Sequence, residues 1–207
     1  NQKDGLKSVN ISAICQTAEN QNKYYIGTGG GGLYIFSPYD SQKFAKVECV
    51  HSLDNINVSG IITDKDEHIW VCAQEGIFVL EKKGYQFVCV KQYHKIAGIP
   101  LVSPTGIVYD INGNCWISTF GSGIFLINDK TEKAFTAQSG SISDNVLTIY
   151  SESKSNVWAG TQDSGLLKFN GVVFQPVTAG PMDKAIWAIA EDNRGNLYLG
   201  SGESGLY

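Results

Sequence analysis

The chain has few charges, few prolines and no long apolar run. Lys, Arg, Asp and Glu make up 17% of its 207 residues, against a usual ~25%. Five prolines and no Gly-X-Y period exclude a collagen-like fibre. Apolar runs such as Ile77 to Leu80 and Ile124 to Ile127 fall far short of the ~20 residues of a membrane-spanning helix. The formal net charge is −4 with no Lys/Arg block, so a nucleic-acid partner lacks its electrostatic basis. No CxxC pair and no Cys/His cluster of zinc spacing is present, so neither a metal nor another cofactor is expected. Cys15, Cys49, Cys72, Cys89 and Cys115 are odd in number. We read them as small buried hydrophobes that form no disulfide, a usage that by itself points to a reducing compartment. The chain opens at Asn1 with no basic n-region and no apolar h-region, and reads as a processed or excised segment. What is abundant is glycine, 23 residues, with 43% hydrophobic and 11% aromatic residues. This content excludes disorder and favours an all-β protein.

An internal repeat carries the fold. Five segments share one pattern: YYIGTGGGGLYIF from Tyr24, IWVCAQEGIFVL from Ile69, CWISTFGSGIFLI from Cys115, VWAGTQDSGLLKF from Val157 and LYLGSGESGLY from Leu197. Their aromatic anchors are Tyr25, Trp70, Trp116, Trp158 and Tyr198, spaced 45, 46, 42 and 40 residues apart. Two positions on stands a small residue: Gly27, Cys72, Ser118, Gly160 or Gly200. A Gly precedes the next apolar run in every copy: Gly32, Gly76, Gly123, Gly165 and Gly205. An apolar stretch precedes each anchor, joined to it by a polar turn such as Asp110-Ile111-Asn112-Gly113-Asn114. A fourth stretch follows around Phe44, Phe87, Phe135 or Phe174. Four short strands per repeat of this length make the four-stranded antiparallel blade of a β-propeller. The anchor is expected to fill space between blades, the small residue to admit a neighbour, and the recurrent Gly to adopt φ > 0 or a close backbone approach.

The string I-x-x-I-x-x-D-x-x-G-N-x-W-x-G-T-x-x-x-G-L resembles the two-component regulator propeller repeat, best at Val146 to Phe169 and Ile186 to Tyr207. The resemblance implies a periplasmic sensor region of a hybrid two-component system of the kind found in gut Bacteroidetes, where many members respond to oligosaccharides. It implies a possible homodimer in the full-length sensor, no membrane span in this segment, and a propeller of about seven blades of which residues 1–207 form a single domain or fragment. The periplasmic location conflicts with the free cysteines, and we give the resemblance more weight. Copy two departs from the pattern with Cys72-Ala73 and one residue fewer before its Gly. Copy one has two extra residues around Gln21 and Asn22.

Other motifs are weaker. Gly27 to Gly32 matches GxGxxG, but strand-like Leu33 to Phe36 follows rather than a helix, so a hairpin turn is expected. No nucleophile elbow is present. Glu75, Asp163 and Glu203 recur near one hairpin, yet a glycosidase mechanism needs a carboxylate separation that spacing does not supply. Calcium on Asp64, Asp66 and Glu67 lacks EF-hand spacing, and a plain polar turn is expected there.

Turns after the second strands and crossings between blades share one propeller face, where function usually resides. Tyr93, His94, Phe120, Gln162, Asp163 and Glu203 fall on it and are our candidate ligand contacts. The opposite face, built from short Asp/Asn/Gly turns, is expected to offer little concavity. The expectation is a non-catalytic sensing propeller for a small molecule or oligosaccharide. The alternatives are a propeller lyase or glycosidase, or a protein-interaction scaffold.

Overall fold

The computed structural model describes residues 5–17, 22–39, 43–47, 53–84, 86–141, 143–154, 156–178 and 184–207. Cys49, His51 and part of the Thr178 to Lys184 crossing therefore lie outside the described residues. The chain divides into two units, Asn1–His94 and Lys95–Tyr207.

The first unit holds two four-stranded antiparallel sheets with the strands in chain order. Blade 1 comprises β1 (Ile11–Gln16), β2 (Tyr24–Thr28), β3 (Gly32–Phe36) and β4 (Phe44–Lys46). Blade 2 comprises β5 (Val58–Thr63), β6 (Ile69–Ala73), β7 (Gly76–Lys83) and β8 (Gln86–Tyr93). The GxGxxG string is the hairpin between β2 and β3, as expected from the strand that follows it. Tyr25, Leu33, Val58, Val71, Phe78 and Phe87 share one buried cluster spanning both sheets. Leu6 packs separately with Ile26 and Tyr34.

The second unit opens with the small hairpin β9 (Lys95–Ile96) and β10 (Ile99–Pro100). Ala97 at φ 50 and Gly98 at φ 81 supply its turn, a left-handed pair suited to a two-residue hairpin. Much of the long crossing expected from Gln92 to Thr105 is thus strand. Blade 3 is β11 (Pro104–Tyr109), β12 (Cys115–Thr119), β13 (Ile124–Asn128) and β14 (Thr131–Phe135). Blade 4 is β15 (Val146–Ser151), β16 (Val157–Thr161), β17 (Leu166–Phe169) and β18 (Phe174–Pro176). The fifth repeat forms β19 (Ile186–Glu191) and β20 (Leu197–Ser201), and Leu206 bridges back to Gly200 as the start of a third strand.

Every first strand carries a register shift near its start: Ile11/Ala13, Val58/Gly60, Pro104/Gly106, Val146/Thr148 and Ile186/Ala188. A bulge at a fixed place re-aims one side chain and sharpens the twist. In two blades the re-aimed residue is a hydroxyl that bonds the next blade. Thr105 Oγ1 donates to the Val146 carbonyl at 2.9 Å, and Ser12 Oγ donates to the Val58 carbonyl.

The recurrent Gly behaves as its position required. Gly32, Gly76, Gly123, Gly165 and Gly205 all have positive φ. A Cβ at Gly123 would overlap the Phe135 carbonyl oxygen. The small residue after the anchor admits the neighbouring blade. A Cβ at Gly160 would strike Thr148 and the Ile186 backbone, and one at Gly27 would strike Val58. The anchors grade in burial. Trp116 is 2% exposed, with Phe169 edge-on to it at 4.8 Å, whereas Trp158 is half-buried and Tyr198 is 43% exposed. Trp158 is therefore less buried than expected of an interblade anchor. Cys72 and Cys115 are buried as expected of small hydrophobes, whereas Cys15 and Cys89 are only half-buried.

Candidate functional site

The second hairpin of each blade is tied to the residue that enters its own first strand. The residue following strand two donates its N–H to that carbonyl in all five repeats: Gly29 to Asn10 at 2.8 Å, Gln74 to Asn57 at 3.2 Å, Phe120 to Ser103 at 3.0 Å, Gln162 to Asn145 at 3.0 Å and Gly202 to Ala185 at 3.0 Å. The hairpin has its own internal brace. Thr28, Thr119 and Thr161 each donate a hydroxyl to the carbonyl of the Gly four residues on, at 3.0, 2.8 and 2.8 Å. Blade 2 has Ala73 at this place and a turn of only two residues, with Ala73 paired directly to Gly76. The lost hydroxyl and the lost residue go together.

This scaffold presents the candidate residues unequally. In the second unit Phe120, Gln162 and Asp163 meet around Asn145. Phe120 pairs with Asn145 as an antiparallel bridge and is 38% exposed. Gln162 donates its backbone N–H to the Asn145 carbonyl. Asn145 Nδ2 donates to Asp163 Oδ2 at 3.2 Å, and Ser164 Oγ donates to Asp163 Oδ1 at 3.0 Å. Burial alone would raise the Asp163 carboxyl. Hydrogen bonds from Ser143, Ser164 and Asn145 outweigh it and hold the group below its ordinary value. Glu203 is exposed at the tip of the last hairpin.

In the first unit Tyr93 is buried, its ring stacked on Trp70 at 5.8 Å with the Lys91 ammonium 4.5 Å from its centroid. His94 is exposed, and its Nδ1 lies 2.9 Å from the Glu75 carbonyl oxygen. Asn145 was not among the candidates, though a signal existed. Asn also precedes the first strand at Asn10 and Asn57, and Asn57 Nδ2 donates to Gln74 Oε1 at 3.1 Å, as Asn145 does to Asp163.

The opposite turns hold a second recurrent device. A carboxylate at the start of the first turn accepts from the anchor six residues later. Trp70 Nε1 donates to Asp64 Oδ2 at 3.0 Å, Trp116 Nε1 to Asp110 Oδ2 at 2.9 Å and Trp158 Nε1 to Glu152 Oε2 at 2.9 Å. Tyr198 OH donates to Asp192 Oδ2 at 3.3 Å. The other oxygen of each Asp holds the turn, as Asp110 Oδ1 does by accepting from the N–H groups of Asn112 and Asn114. Burial raises the Asp110 carboxyl, but its hydrogen bonds from Trp116, Asn114 and Asn112 win and lower it. Asp64 behaves likewise through Trp70 and His68. Blade 1 has the uncharged, buried Thr17 at this place.

Asp64, Asp66 and His68 offer ligand atoms within 4.8 Å of one another. Both Asp64 oxygens already accept from the turn and from Trp70, and Glu67 sits at φ 64 within that turn. The donor set also braces the turn.

These turns are more concave than their short length implied. A cleft of about 410 Å³ in the first unit is lined by Thr17, Tyr25, Asp66, His68 and Glu81. A larger one, of about 1000 Å³, runs between blades 3 and 4. The expectation of little concavity on this side is corrected: the anchor–turn braces and the β3–β4-type turns of adjacent blades leave a gap at their edge.

Four-stranded antiparallel blades with a braced aromatic anchor define a β-propeller, present here in part. Residues 180–203 match the family described as two component regulator propeller, so the chain carries that repeat. No curated protein matches the sequence. Among solved structures, the chain is similar to the extracellular domain of the hybrid two-component system BT3049 from B. thetaiotaomicron. Identity is 22% over 95% of this chain and 32% of that one, with a TM-score of 0.66. It is also similar to the extracellular domain of the one-component system BT4673 from the same organism, at 19% identity over 95% of this chain and 27% of that one, with a TM-score of 0.72. A third similarity is to a virginiamycin B lyase variant from Staphylococcus aureus, at 15% identity over 96% and 69% of the two chains, with a TM-score of 0.68. At these identities the likeness shows the fold. The chain spans about a third of the length of the two sensor domains. No helix among the described residues is long and apolar enough to cross a membrane.

Proposed function

We propose that the chain is a non-catalytic sensing propeller from the extracytoplasmic region of a two-component regulator, and that it engages a small polar ligand such as an oligosaccharide. The repeat and the similarity to two sensor ectodomains support the class. The observation that carries the site is the cluster at Asn145. An exposed aromatic ring, Phe120, stands beside an amide–carboxylate pair, Asn145 and Asp163, braced from the crossing and from the hairpin. A ring face for stacking next to oriented donors and acceptors suits a hydroxylated ligand. Gln162 extends the polar set; Tyr93 and His94 in the first unit and Glu203 in the fifth repeat are proposed contacts of their own repeats. In a full-length sensor assembled as a homodimer, ligand engagement would alter ectodomain packing and so reach an intracellular kinase.

Calorimetric titration of an oligosaccharide panel into wild type and into Phe120→Ala/Asp163→Ala tests the reading. A ligand that binds wild type and loses affinity in the double variant is expected. Equal binding by both proteins removes the site.

A further inference from the structure

The cleft between blades 3 and 4 lies outside the cluster at Asn145 and has its own chemistry. Its floor is apolar: Leu126 and Val157 are buried, and half-buried Phe169 packs edge-on against Trp116 at 4.8 Å. Lysines outnumber carboxylates in its lining. The one carboxylate lining it is Asp110, whose oxygens accept from two backbone N–H groups, the Asn114 amide and the Trp116 indole. Two lysines face it from opposite walls, Lys133 on β14 and Lys168 on β17. Neither has an ion-pair partner among the described residues. Lys168 is steadied instead over the Trp158 ring at 4.8 Å.

The walls also have a spacing. Thr131, Lys133 and Phe135 project into the cleft from alternate positions of β14. Strand side chains on one face recur every ~6.6 Å, which is also the side-chain repeat of an extended peptide. About 1000 Å³ is at the upper end for small-molecule pockets, and the cleft is an open groove. From charge complementarity, apolar floor and spacing together, we propose that this groove docks an extended peptide segment in which acidic and aliphatic side chains alternate. Its carboxylates pair with Lys133 and Lys168, and its aliphatic side chains cover Phe169 and Leu126. The whole chain carries a net charge of −4, so preference for an acidic peptide is a property of the groove and runs against the bulk field.

Fluorescence anisotropy of a labelled eight-residue peptide of alternating Glu and Val tests this. Wild type is expected to bind it, less tightly as salt rises, and to ignore the peptide with Lys in place of Glu. Lys133→Glu should weaken binding at least about tenfold, and adding Lys168→Glu should abolish it. Lys133 is exposed on an outer strand, so the single variant should keep the wild-type Tm and isolates binding from folding. Absence of binding by wild type, equal binding by Lys133→Glu, or preference for the lysine peptide overturns the proposal. So does Lys133-dependent binding of a polyuronate oligosaccharide by a protein that ignores the acidic peptide. The oligosaccharide titrations with Phe120→Ala/Asp163→Ala read a different face, so either proposal can fail alone.

Discussion

Asp110 and Trp116 are joined at 2.9 Å, the indole N–H donating to the carboxylate that also organises the turn between them. The same carboxylate thus shapes a hairpin and satisfies a donor on a ring that is 2% exposed. Asp110→Ala is expected to leave that N–H unpaired and to cost about 1–3 kcal/mol of stability, measured by urea unfolding. Asp192→Ala, whose partner Tyr198 is exposed, should cost far less. Equal losses would show that the turn, not the buried indole, sets the cost.

The anchors should differ in the order of their burial. Trp116→Ala removes a ring in contact with Phe135, Phe169 and Phe174 and is expected to cost about 3–5 kcal/mol. Trp158 is half-buried, so Trp158→Ala should fall below that range. Chemical denaturation of the two variants checks the order, and a larger loss at Trp158 would contradict it.

Two glycines with similar φ should respond oppositely to a side chain. Gly123 has φ 78, and a Cβ there would overlap the Phe135 carbonyl; Gly113 has φ 77 with nothing within 4 Å. Gly123→Ala combines ~1–2 kcal/mol of left-handed strain with a backbone clash. Gly113→Asn, a residue that tolerates this conformation, should be nearly neutral. Thermal unfolding of both variants reads the difference.

Acid should destabilise the blades through the turn carboxylates. Asp64, Asp110, Asp163 and Asp192 all have lowered folded-state values, below an unfolded value of ~3.9. The unfolded chain therefore binds more protons in this range, and stability rises with pH there. The contribution should be fully present above about pH 5 and be lost as pH falls below ~4 and through the lowered values. Asp110→Asn should flatten the decline. An unchanged slope in that variant would assign the acid sensitivity to other groups.

Much of the fold was legible because a propeller blade is a local object. Turn residues such as Asn112-Gly113, the anchor, and the Gly four positions after Thr119 act within ~20 residues of one another, and their recurrence marks the blade. The small residue after the anchor was equally readable, since only a neighbouring backbone explains Gly27 and Gly160. The candidate site was less so. Tyr93 looked like a loop aromatic, but β8 continues through it and Trp70 covers its ring. Asn145 looked like one more turn residue until the hairpin of its own blade folded back on it.

The order of residues by itself determined the strands, the turns, the positive-φ glycines and the absence of a charge pattern for nucleic acid. Only the tertiary structure decided which equivalent residues are buried and which face solvent. Trp116, Trp158 and Tyr198 occupy one repeat position yet pass from 2% exposed through half-buried to 43% exposed. Likewise Asp110 is held by four hydrogen bonds within its own turn, while Lys133 and Lys168 from two adjacent blades line the same groove without an ion-pair partner among the described residues. The reason is physical: hydrogen bonds across a turn are set by local spacing, whereas burial and the field in a cleft depend on what the next blade places opposite.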